Sequence, residues 1–90
     1  MTEQERQALR HVAAGQLLYH TGLWGGPAGY RWRGQDGSEA GVVSPWETQA
    51  LYSLTSGGLI AVEARTDPFA RRVRITAAGM SMLGELAQAA

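Results

Sequence analysis

The stretch SPWETQALYSLTSGGLI, Ser44 to Ile60, constrains the fold more than any other part of the chain. It holds a helix start, a helix stop and the entry to a strand. Pro45 suits a first helical position, where its missing N–H would be unpaired in any case. Ser44 and Glu47 have the spacing of a capping box. Trp46, Ala50, Leu51 and Leu54 recur at helical spacing and predict one apolar face. Gly57-Gly58 supplies a left-handed stop. The pattern predicts a helix over 45–56 running into a strand.

The rest of the chain is read around that helix. Its 90 residues predict a single domain over 1–90. The segment TEQERQALRHVAAGQLLYH reads as a first helix, with a second capping box at Thr2 and Glu5. Leu9, Val12, Ala13, Gln16, Leu17 and Tyr19 would line its buried side, and His11 and His20 would lie on different faces of it. The glycines and proline of TGLWGGPAG break the helix. YRWR alternates, with Tyr30 and Trp32 on one side and Arg31 and Arg33 on the other, as in a half-buried strand. GQDGSE is turn chemistry, and AGVV predicts the returning strand of a hairpin. After the central helix, LIAVEAR and RRVRI alternate around a TDPFA turn, with Ile60, Val62, Val73 and Ile75 inward and Arg72 and Arg74 outward. Thr76 caps a last helix in which Gly79, Leu83 and Leu86 share a face. The expected core is Leu9, Val12, Trp46, Ala50, Leu54, Ile60, Val62, Val73, Ile75, Leu83 and Leu86. The expected fold class is α+β: helix, hairpin, helix, hairpin, helix.

From about residue 44 to 86 the chain resembles a winged-helix domain, most of all that of the multiple-antibiotic-resistance regulator (MarR) family. ALYSLTSGGLI resembles the end of the recognition helix and first wing strand. RTDPFARRVRIT resembles the wing, with Asp67-Pro68 at its turn. ITAAGMSML matches the family's strand-to-helix pattern. The first half departs from the family, because GYRWRGQDGSEAGVV stands where the supporting helix of a helix-turn-helix would be. The resemblance implies a small winged-helix domain, transcription regulation through double-stranded DNA, and a homodimer paired through terminal helices.

Charge narrows the chemistry. Positive and negative groups balance at eight each, so no global field draws the chain to a polyanion. Every cation is arginine, and six of the eight arginines fall in the two expected hairpins. That clustering points to a phosphate-contacting surface made of Arg31, Arg33, Arg65, Arg71, Arg72 and Arg74. A solvated sheet face is the alternative, with Arg72 or Arg74 paired across strands to Glu63. The outward side of helix 45–56 carries Thr48, Gln49, Tyr52, Thr55 and Ser56. Gln49 has the chemistry to pair with adenine, but this helix has no cation for guanine. Phe69 at a turn tip either contacts a partner or folds back on the sheet. Trp24, Tyr30, Trp32 and Trp46 read mainly as core, although YRWR also permits a base-stacking platform.

Other functions find no motif. The chain has no cysteine, which excludes disulfides and thiolate metal sites. Two histidines without cysteine make no metal centre. The glycines of GLWGGPAG lack the spacing of a phosphate-binding loop. We expect no enzyme activity, no cofactor, no membrane segment and a cytoplasmic location. The leading expectation is a DNA-binding or transcription-associated protein, with the arginine wing on phosphates and helix 45–56 toward the groove. The alternative is a winged-helix module that binds a protein partner and no DNA.

Overall fold

Helix-terminating glycines divide the chain into its elements. The structure, a computed structural model, describes residues 1–22, 28–63 and 70–89, with side chains left out at 70 and at 86–89. The first half comprises α1 (Glu3–Ala13), β1 (Leu17–His20), β2 (Gly29–Arg33) and β3 (Glu39–Val42). The second comprises α2 (Pro45–Ser56), β4 (Ile60–Val62), β5 (Ala70–Ile75) and α3 (Ala77–Ala89). The strands form an antiparallel sheet in the order β3-β2-β1-β5-β4, so the chain is α+β as expected. The expectations for Trp24, Arg65, the Asp67-Pro68 turn, Phe69 and the Leu86 side chain lie outside the described residues.

The first helix is shorter than its sequence pattern suggests. The capping box at Thr2 and Glu5 forms, but the helix ends at Ala13. Gly15 adopts φ 72°, its N–H donates to the Val12 carbonyl at 2.9 Å, and the Gln16 N–H donates to the His11 carbonyl at 3.1 Å. These are the two bonds of a Schellman stop, which glycine makes without a Cβ clash. Leu17–His20 therefore becomes β1, the central strand of the sheet, and His20 lies on it rather than on a helix. Ala13 and Gln16, expected inside, are exposed because the helical face they continued has ended. The same stop closes α2, where Gly58 has φ 76° and the Leu59 N–H reaches the Leu54 carbonyl at 3.0 Å.

Register decides what each strand buries. Leu17 pairs with Trp32, and Tyr19 pairs with Tyr30 on one side and Arg71 on the other. Directly opposed residues share a face. This is the face that α1 and α2 cover. On the other face a single row crosses four strands: Val42, Arg31, Leu18, Arg72.

The core joins Ala8, Leu9 and Val12 of α1 to Leu17, Tyr30, Val43, Ala50, Leu51, Leu54, Ile60 and Val73. Val62, Ile75 and Leu83 pack against it and are half-buried. Trp46 departs from its expected place and is 40 % exposed. The inward stripe of α2 is Glu47, Ala50, Leu51 and Leu54, at helical spacing with a carboxylate in the first position. The last helix starts as expected at Thr76, whose hydroxyl accepts the Gly79 N–H at 3.1 Å and donates to the Gly58 carbonyl at 2.7 Å.

Candidate nucleic-acid interface

The orientation of α2 determines what this surface offers. Ser44 is its N-cap with extended backbone and Pro45 takes the first turn, but no side-chain capping bond forms. The expected Ser44–Glu47 capping box is absent because Glu47 turns inward. Its carboxylate bonds Nδ1 of His11, on α1, and Glu47 is only 1 % exposed. The Trp32 ring stands edge-on to His11 at 5.2 Å. A long-range ionic partner thus outweighs the local cap, since a carboxylate this deep needs a partner. His11, half-buried at the edge of the domain, is this partner.

With Glu47 inward, the outward side of α2 carries Gln49, Tyr52, Ser53 and Ser56. Thr48 and Thr55, expected there, are half-buried and committed to the fold. The Thr48 hydroxyl reaches the Val43 carbonyl at 3.4 Å, and the Thr55 hydroxyl donates to the Leu51 carbonyl at 2.9 Å. Of the candidate base readers, Gln49 and Tyr52 remain exposed, Tyr52 with its ring and hydroxyl engaged by neighbouring tyrosines.

Tyr52 belongs to a ladder of three rings. Its ring meets Tyr30 at 5.0 Å and 69°, and Tyr30 meets Tyr19 at 5.1 Å and 83°. Edge-to-face geometry at these distances is favourable for aromatic pairs. The Tyr30 hydroxyl shares a 2.7 Å hydrogen bond with Thr55. Burial pushes the Tyr30 hydroxyl pKa up, and hydrogen bonding with Tyr19 raises that of Tyr52. Both therefore keep their protons at neutral pH. Arg71 lies across from Tyr19, so the strip Tyr52–Tyr30–Tyr19–Arg71 runs from α2 to the first residues of β5.

The arginines divide into three groups, and Arg71, expected on the phosphate-contacting surface, is instead half-buried on the helix-covered face with its Nε buried. Arg72 and Arg74 are exposed on the sheet face turned away from the core. Glu63 lies opposite Arg72 through a backbone bond of 2.9 Å, yet no ion pair joins their side chains. The hairpin arginines are committed elsewhere. Arg31 is 9 % exposed, donates to the Tyr30 carbonyl at 3.0 Å, and has Nε 3.9 Å from Glu39. Glu39 also lies 3.8 Å from Nε2 of His20. Arg33 reaches the Gly15 carbonyl at 3.4 Å, with its guanidinium against Gly37. Their alternation with Tyr30 and Trp32 is legible in the sequence, but pairing brings Glu39 of β3 to Arg31 and the Gly15 carbonyl, 18 residues back, to Arg33. Arg65 lies outside the described residues.

Among the described residues, no helix is long and apolar enough to cross a membrane. No protein-family model, no curated protein and no solved structure matches this chain.

Proposed function

We propose that this chain is a small winged-helix DNA-binding protein, with α2 toward the groove and the β5 arginines on phosphates. The observation that carries this reading is the pair Arg72 and Arg74. Both are exposed on the face of β5 turned away from α2, where they would meet phosphates flanking the groove, and neither has an acidic side-chain partner among the described residues. Duplex affinity comes largely from releasing counterions at neutralised phosphates, and free cations are what that requires. Gln49 and Tyr52, exposed on α2, supply amide and hydroxyl chemistry for base edges. The element order supports the winged-helix part: β4 and β5 follow α2 as a hairpin, and α3 follows them. The β2–β3 hairpin takes the place of the supporting helix and braces α2 through Tyr30. A homodimer through α3, where Met80 is exposed, belongs to the same proposal.

Fluorescence anisotropy with a labelled duplex, between about 50 and 200 mM salt, tests the reading. Arg72→Ala and Arg74→Ala should weaken binding to all sequences alike. Each should flatten the log–log salt slope by about one unit if one phosphate contact is lost. Gln49→Ala should instead lower discrimination between sites, by about 1–3 kcal/mol where Gln49 reads a base. A wild-type chain that binds no duplex at about 50 mM salt rejects the reading. The second reading, a protein-interaction module, then stands. It is favoured by the exposed Trp46, a large ring that the core does not use.

A further inference from the structure

We propose that the groove between the first turn of α1 and α2 is a binding site for a guanidinium group. The groove has a volume of about 340 Å³ and is lined by Gln4, Glu5, Trp46, Gln49 and Ser53, together with Thr2 and Ala50. Glu5 is the sole ionisable side chain among the described residues that line it. Hydrogen bonds from the backbone and side chain of Thr2 hold the Glu5 carboxyl below its ordinary pKa, so it is ionised at neutral pH. Trp46, 40 % exposed, presents its ring to the same groove.

These groups select the ligand by exclusion. An anion would meet the Glu5 charge with no cation to offset it. An apolar ligand would strip water from two amides and a hydroxyl without replacing their hydrogen bonds. The positive end of α1 would ordinarily favour an anion, but Thr2 and Glu5 occupy two of its N–H groups reciprocally and the Glu5 carboxylate supplies the negative charge there. A guanidinium meets each requirement. It is planar and stacks on an indole face, and its five N–H donors suit a carboxylate and side-chain carbonyls. An ammonium is a point charge with three donors and no plane to stack. The groove borders the proposed nucleic-acid surface and shares Gln49 with it, but Glu5 and Trp46, which select the guanidinium, have no part in that reading.

The test is a titration of the full ¹⁵N-labelled chain followed by two-dimensional NMR. The probes are N-acetylarginine methylamide, its uncharged citrulline isostere, the lysine counterpart and methylguanidine. The arginine compound should shift the Trp46 indole N–H, identified by its loss in Trp46→Phe, together with the Gln49 and Ser53 amides. Citrulline should bind about tenfold more weakly, and lysine should fall between them. Methylguanidine binding as well as the arginine compound assigns a small free guanidine. Weaker binding assigns an arginine side chain presented by a polypeptide. Glu5→Gln keeps the spacing and chemistry of the capping box. It should lower the melting temperature only slightly and abolish the preference for arginine over citrulline. The proposal is overturned by equal shifts with arginine and citrulline, by no shift with any probe, or by a preference that survives Glu5→Gln.

Discussion

Replacing His11 with alanine is expected to destabilise the domain by about 3–5 kcal/mol, the range for stranding one member of a buried ion pair. The substitution removes an exposed edge of α1 on the surface side, but on the inner side it leaves the Glu47 carboxylate without its partner. The two members of the pair are not equivalent. His11 keeps about a third of its side chain in solvent, whereas that of Glu47 keeps 2 %. Glu47→Gln should therefore cost less than His11→Ala, because a side-chain amide still accepts the Nδ1–H and brings no charge inside. Chemical denaturation with an unchanged m-value measures both. A loss under about 1 kcal/mol for His11→Ala would show that the pair contributes no more than an exposed one.

The second large effect is expected at Gly79. An alanine Cβ there would lie 2.2 Å from the Leu59 carbonyl oxygen and 2.6 Å from Cγ1 of Ile75. The first of these is backbone, held in place by the Thr76 N–H at 3.0 Å. The last helix must then lift away from the strand entry. Gly79→Ala should cost about 3 kcal/mol, the upper part of the range for overpacking. In a domain of this size each kilocalorie lowers the melting midpoint by about 4–8 °C. Gly84, on the same helix, is the internal control. Nothing lies within 4 Å of its would-be Cβ, so Gly84→Ala should stabilise by up to about 1 kcal/mol through helix propensity. Thermal melts in which both variants shift the same way would contradict this account of α3.

These two sites also mark the limit of what the sequence discloses. The features set by neighbours in the chain are legible in it: the Thr2–Glu5 cap, the stop at Gly58, the inward Val73 between outward Arg72 and Arg74, and the Thr76 start of α3. What the sequence conceals is set by residues far along the chain. Glu47 has capping-box spacing, and only the fold brings His11, 36 residues away, to its carboxylate. Once Glu47 faces inward, Trp46 is left at the helix edge, which overturns its expected place in the core. Arg31 and Arg33 alternate like solvent-facing residues, but Glu39 and the Gly15 carbonyl engage them across the sheet. β1 is concealed for another reason. QLLYH continues a helical period past Gly15, and a single left-handed glycine decides against it.

The ladder of Tyr52, Tyr30 and Tyr19 bears on the thermodynamics of recognition. It clamps the exposed side of α2 to two neighbouring strands through interlocked rings and the Tyr30–Thr55 hydrogen bond. A helix held this way is already ordered, so under the proposed recognition through α2 association would forfeit little conformational freedom at that surface. The heat-capacity change on complex formation should then match the apolar area covered at the contact, without the larger negative value that accompanies folding upon binding. Cutting the ladder at Tyr30 would convert a preorganised face into one that must be assembled by its ligand, and the cost would appear as unfavourable entropy rather than as missing contacts.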